Sequence, residues 1–218
     1  MDFTVKVCGI TRRVDVTGAL AQGVDFLGVN RWPESKRFVP DDLLPALLAE
    51  IPRGRRVFVD VSPTREKLDA AVADGFDFFQ IHFDASVGMA RTDVTGWHDT
   101  VGRERLWLAP RVGPGAVWPL WCLPYADVFL CDGFHAGEFG GTGRAADWGQ
   151  FRELKNKHTA KRWLLAGGLG AETIGQAVRQ SDTDFVDLNS GVESAPGIKD
   201  MTKLATTLAL LREIGQGG

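Results

Sequence analysis

Cysteine is scarce in this chain, with three among 218 residues, an odd number that no disulfide framework uses up. Charged and polar residues already punctuate residues 1–13 and leave no charged-then-apolar leader, so a reduced, cytoplasmic protein is expected. Long apolar runs are missing as well. None approaches the roughly 20 residues that cross a bilayer, and no membrane partner is expected. Nor is there a basic block: 25 Lys and Arg stand against 28 Asp and Glu, a net charge of −3, which leaves nothing to track a phosphodiester backbone and excludes nucleic acid as a partner. Cys8, Cys122, Cys131 and the four histidines lack the paired spacing of a metal site, and no cofactor motif is present.

What the chain does have is alternation. Short apolar runs begin near Val5, Phe26, Arg56, Phe78, Leu106, Val128, Trp163 and Phe185, roughly 20 to 35 residues apart, as successive βα units require. Between them, Thr64 to Ala73 and Glu172 to Arg179 read as helices with acidic residues near their starts. Pro114, Pro119 and Pro124 predict a short or irregular fifth helix, and the fourth, around Asp93 to Val101, is weaker still. Eight units without a linker predict one α/β domain over 1–218, closed as a (β/α)8 TIM barrel rather than opened as a doubly wound sheet. In such a barrel, chemistry belongs at the C-terminal ends of the strands. Cys8, Asn30, Asp60, His82, Arg111, Asp132, Gly168 and Ser190 all fall at or just past the ends of the apolar runs.

Three of those ends are rich in glycine: Gly140-Gly141-Thr142-Gly143 after the sixth strand, Gly167-Gly168 after the seventh and Ser190-Gly191 after the eighth. Glycine lets backbone N–H groups close on an anion, and a helix starting just beyond adds its positive end. Gly141, Gly143, Gly167, Gly168, Ser190 and Gly191 are therefore candidate phosphate ligands, the alternative being that the glycines only turn tight corners.

These segments also carry a resemblance. Lys6-Val7-Cys8-Gly9-Ile10-Thr11 resembles the opening strand of the phosphoribosylanthranilate isomerases; Ser35-Lys36-Arg37 resembles their Ser-x-Arg loop, Gln80-Ile81-His82 their fourth strand, and Cys131-Asp132 their strand 6 aspartate. Gly140 to Gly143 with Asp147-Trp148, Leu165 to Leu169, and Ser190-Gly191-Val192-Glu193 through Pro196 to Asp200 continue the match over nearly the whole chain. The resemblance implies an isomerase of tryptophan biosynthesis that converts N-(5-phosphoribosyl)anthranilate, by an Amadori rearrangement, to 1-(2-carboxyphenylamino)-1-deoxyribulose 5-phosphate. It implies Cys8 as general base at ribose C2′, Asp132 as general acid at the ring oxygen, and Arg37 as a partner of the anthranilate carboxylate or of the developing charge. The chain departs from the family at Asn30-Arg31-Trp32-Pro33-Glu34 and at Phe83-Asp84, which bears on the anthranilate end of the pocket.

The residue types suit that chemistry. Ring opening yields an iminium that acidifies the C2′ hydrogen, so a modest base suffices and no cofactor is needed. A free thiol is only a few per cent ionised at neutral pH, and Cys8 needs a nearby positive charge or a proton-accepting neighbour, for which Lys6 is the candidate. Residues two apart on a strand share a face, so Lys6 and Cys8 point into the barrel while Val5 and Val7 face the helices. Strands 1 and 8 are neighbours in a closed barrel, which predicts a buried Lys6–Asp187 ion pair. Gln80 and His82 share a face and line the floor, His82 as a positioned hydrogen-bond partner. The plainer alternatives are a core residue for Cys8, a backbone cap for Asp132, a solvated loop side chain for Arg37 and packing roles for Cys122 and Cys131.

Two rival functions stand beside the isomerase: a relative acting on the histidine-pathway aminoimidazole ribonucleotide, and a non-catalytic barrel that only binds a phosphorylated sugar. Cys8 disfavours the first, whose strand 1 base is an aspartate; Cys8 with Asp132 disfavours the second. The expected partner is a small phosphorylated aminosugar, and the chain is either a monomer or a homodimer.

Overall fold

The computed structural model describes residues 2–113, 116–132 and 147–217. Eight parallel strands, β1 (Thr4–Val7), β2 (Phe26–Asn30), β3 (Arg56–Val61), β4 (Phe78–Asp84), β5 (Leu106–Arg111), β6 (Val128–Cys131), β7 (Arg162–Leu165) and β8 (Phe185–Leu188), pair in sequence order, and β8 returns to β1 to close the barrel. Each begins at the expected residue except β1 and β7, which start one residue earlier, at Thr4 and Arg162. Val5, Val7, Leu27, Val29, Phe58 and Ile81 face outward into the apolar layer under the helices. Cys8, Val57, Val59, Trp107, Leu130 and Leu164 fill the interior. At its base Phe26, Phe78, Trp107 and Phe185 meet mostly edge to face, with ring centroids 5.2 Å apart for Phe26 and Trp107. That aromatic plug closes the bottom and leaves the strand C-termini as the only open end of the interior among the described residues.

The helices α1 (Arg13–Ala21), α2 (Leu44–Glu50), α3 (Arg65–Asp74), α4 (Ala90–Val101), α5 (Trp148–Lys157) and α6 (Ile174–Ser181) wrap the sheet. Thr64 caps α3 by accepting from the amide of Lys67. In α6 the buried Ile174, Ala177, Val178 and Ser181 follow an i, i+3, i+4, i+7 stripe, and the helix starts two residues later than Glu172. The fifth connection is irregular, as its prolines predict: a 3₁₀ turn, Leu120–Tyr125, with Pro124 inside it. The fourth differs from expectation. Twelve residues form a full helix there, since Ala90, Val94, Trp97 and Val101 bury one face and the Trp97 indole donates to Pro63 O at 2.9 Å. Tertiary burial outweighs the poor propensities of Thr95, Gly96 and Thr100.

After β8 the chain makes a short 3₁₀ turn (Ser190–Val192) and an antiparallel hairpin, β9 (Glu193–Ala195) with β10 (Ile198–Lys199). It ends in α7 (Met201–Gln216), capped by the Asp200 carboxylate. No helix among the described residues is long and apolar enough to cross a membrane.

Candidate active site

Strand termini bring the candidate residues to one place. Cys8, Arg37, Gln80, His82, Asp132, Gly167, Gly168, Asp187 and Ser190 all line a single cavity at the C-terminal mouth of the barrel. Gly141 and Gly143 lie outside the described residues. A roomier hollow of about 750 Å³ opens beside β4 and β5, near Trp118 and Trp121. Its described lining holds neither thiol nor imidazole, and its titratable groups are Asp84 and Arg111.

Beneath the mouth, Lys6 and Asp187 are register partners on β1 and β8, and the Lys6 ammonium donates to both Asp187 oxygens at 2.9 Å. Both side chains are buried. Burial works against the charge on Lys6, but Asp187 and Cys8 outweigh it and raise its pKa. Gly28 on β2 makes room for this arrangement: a Cβ there would stand 3.0 Å from Lys6 Nζ and 3.1 Å from Cys8 Sγ. The lysine thus lies next to the thiol, on the face that strand alternation requires. Burial pushes the Cys8 thiol above its usual value, and Lys6 and then Lys199 partly offset that rise. Cys122 and Cys131 are pushed up to about 12, chiefly by burial, which fits packing residues.

Gln80 and His82 stand side by side on β4. Burial, with the positive charge of Lys6, lowers the imidazole to about 4, so His82 is neutral at physiological pH. The Gln80 amide donates to its Nε2 at 2.9 Å, which places the ring proton on Nδ1. Gln80 Oε1 is buried without a hydrogen-bond partner among the described residues. Asp132 is half-buried at the end of β6. Asp60, at the end of β3, is paired with Lys67 of α3 at 2.6 Å.

The loops after β7 and β8 touch so closely that a Cβ on Gly191 would collide with Leu169 O. Among the described residues the backbone amides of Gly167, Gly168, Ser190 and Gly191 donate to no backbone carbonyl; Gly167, Gly168 and Ser190 line the mouth.

Arg37 lines the mouth and also has a protein partner. Its Nε and Nη2 grip the Glu193 carboxylate at 2.7 to 3.2 Å, while Nη1 has no protein partner among the described residues. Glu193 also accepts from Lys199 Nζ at 2.8 Å, and Lys199 donates to Asn189 at 3.0 Å. In the sequence, Glu193 and Lys199 are legible only as members of a motif. The signal that could single them out is two charged residues flanking the Pro196-Gly197 turn of a short hairpin.

Residues 5–209 match the family model described as N-(5'phosphoribosyl)anthranilate (PRA) isomerase. The chain belongs to that family. Among its phosphoribosylanthranilate isomerase relatives, the protein of Zymomonas mobilis is 32% identical over 97% of this chain and 99% of its own. That of Nitrosococcus oceani is 36% identical over 94% and 95%. The crystal structure of the isomerase from Thermus thermophilus superposes with a TM-score of 0.79 at 26% identity, covering 97% of this chain and 99% of that one. A structure of monomers generated from the dimeric Thermotoga maritima isomerase gives 0.74 at 26% identity, with the same coverage.

Proposed function

We propose that this chain is a working phosphoribosylanthranilate isomerase of tryptophan biosynthesis, with Cys8 and Asp132 as its base and acid. The observation that carries the assignment is the convergence of the Cys8 thiol, the Asp132 carboxyl, the Arg37 guanidinium and the glycine-rich strand ends at Gly167, Gly168 and Ser190 on one barrel mouth. The phosphate of N-(5-phosphoribosyl)anthranilate sits on the amides of Gly167, Gly168, Ser190 and Gly191, and Arg37 faces the anthranilate carboxylate with its uncommitted edge. Gly141 and Gly143, outside the described residues, remain candidates from the sequence. Gln80 Oε1 accepts from a ribose hydroxyl, beside the neutral His82.

The protonated Asp132 gives its proton to the furanose oxygen as the bond from that oxygen to C1′ breaks, and an iminium forms. The Cys8 thiolate takes the C2′ hydrogen. The electron pair moves into the iminium, and the resulting enolamine tautomerises to the ketone product. A buried thiol is a reluctant thiolate, and the adjacent Lys6 supplies the positive charge that its ionisation needs. Lys6 and Asp187 act as support.

The assay follows the loss of anthranilate-ribonucleotide fluorescence. Cys8→Ala and Asp132→Asn each reduce turnover on the order of 10² to 10⁴-fold. A wild type that binds the phosphosugar without turning it over would support the sensor reading instead. In this reading the protein is one barrel domain of residues 1–218 in the cytoplasm, and sedimentation decides between a monomer and a homodimer like the Thermotoga maritima relative.

A further inference from the structure

The hairpin β9–β10 pairs with no strand of the barrel, yet its two buried side chains, Glu193 and Lys199, are both charged. A hairpin whose task was only to cover the core would bury apolar groups, because buried charges are costly unless they are paired. Here Glu193 is paired both with Lys199 and with Arg37, which lies on the loop after β2, 156 residues from Glu193 in sequence. Side-chain exposures are 12% for Arg37, 4% for Glu193 and 0% for Lys199, so the network is dry enough to hold one geometry. Burial disfavours the charge on Glu193, but Arg37 and Lys199 together outweigh it and keep the carboxyl below its usual range. The Gly197 amide adds a further donor to Glu193 at 3.1 Å.

The path of Arg37 is prepared by β1. Gly9 has φ +71°, and a Cβ there would collide with Arg37 Cδ, so the arginine crosses the end of β1 directly beside Cys8. A guanidinium free to rotate would sample many positions over this mouth. One gripped along its Nε–Nη2 edge presents only Nη1 and the outer side of Nη2.

We infer that Glu193 is the positioning residue for substrate binding: by clamping one edge of Arg37, while Lys199 holds the same carboxylate in place, it aims the other edge at the substrate carboxylate over Cys8. This rests on the isomerase reading above. Glu193 touches no reacting atom and acts through Arg37.

The test is a double-mutant cycle on N-(5-phosphoribosyl)anthranilate with wild type, Glu193→Gln, Arg37→Ala and the double variant. Glu193→Gln is expected to lower kcat/KM on the order of 10²-fold, mainly through a raised KM. The double variant is expected to be no worse than Arg37→Ala alone. Additive losses, a lowered KM in Glu193→Gln from the extra positive charge, or an Arg37→Ala variant as active as wild type each overturn the inference and leave the isomerase reading standing. An inactive wild type overturns both. Should Glu193→Gln lack a cooperative melt, Glu193→Asp keeps the charge but shortens the reach; an intermediate kcat/KM that vanishes in the Arg37→Ala background supports the inference, and wild-type kinetics overturn it.

Discussion

Lys6 and Asp187 meet across the seam where the barrel closes, the ammonium equidistant at 2.9 Å from both carboxylate oxygens and neither side chain open to solvent. The pair joins the first strand to the last, at a point where the plug of aromatic rings lies below and Cys8 above. Removing one member strands the other in a dry interior, and breaking a buried pair in this way costs about 3 to 5 kcal/mol. Asp187→Ala should therefore lower the unfolding free energy by that amount in urea or guanidinium titrations. A loss under about 0.5 kcal/mol would refute the structural role of the pair.

The location of that pair follows from strand alternation and barrel closure, while the strands themselves are placed by the spacing of short apolar runs. Those runs are legible because a parallel strand buried on both faces is written locally as a continuous apolar stretch such as Val57-Phe58-Val59. The glycines and acid–base residues at strand ends are legible for the same reason. Helix α4 is not, because the burial of Val94 and Trp97, with the Trp97 indole bonded to Pro63 O, outweighs the poor helix propensities of Thr95, Gly96 and Thr100. Arg37 is legible as a candidate but its clamp is not: no local pattern says that a loop after β2 will meet a hairpin after β8.

The pH dependence of turnover follows from the raised thiol. If the thiolate is the base, kcat/KM must grow with pH as Cys8 ionises, and burial moves that ionisation above the 9.0 of an ordinary thiol. A rising limb should extend through neutrality to about pH 9 or beyond. Lys199→Gln removes one of the charges that offset the rise, and should move the limb further to the alkaline side. A plateau reached by pH 7 in the wild type would contradict a buried thiol as base.

His82 should be silent where histidines usually titrate. With its pKa lowered to about 4, the ring stays neutral from pH 8 down to 5, and NMR of the imidazole should show no protonation step in that range. The sign for stability follows from linkage: the unfolded ring binds its proton near 6.5 while the folded ring does not, so the unfolded state gains as pH falls. The contribution is present above pH 6.5 and is lost as pH approaches 4. Melting curves of wild type and His82→Gln should accordingly converge, in relative terms, on the acid side, with the wild type falling more steeply between those two values.

Two glycines should respond oppositely to the same added methyl group. Gly28 faces the barrel interior, where a Cβ would meet Lys6 Nζ at 3.0 Å and Cys8 Sγ at 3.1 Å. Both atoms are held, one by Asp187 and the other by the end of β1, so neither yields cheaply. Gly28→Ala should cost about 1 to 3 kcal/mol of stability as an overpacked core site, and should depress turnover because the displaced atoms are the base and its neighbouring cation. Gly96 lies on the exposed face of α4, where an added methyl group would meet nothing within 4 Å. Gly96→Ala should raise stability by about 0.5 to 1 kcal/mol through helix propensity and a less free unfolded chain, with kinetics unchanged. Equal melting shifts of one sign in the two variants would mean that the Lys6–Cys8 pocket has slack that the structure does not show.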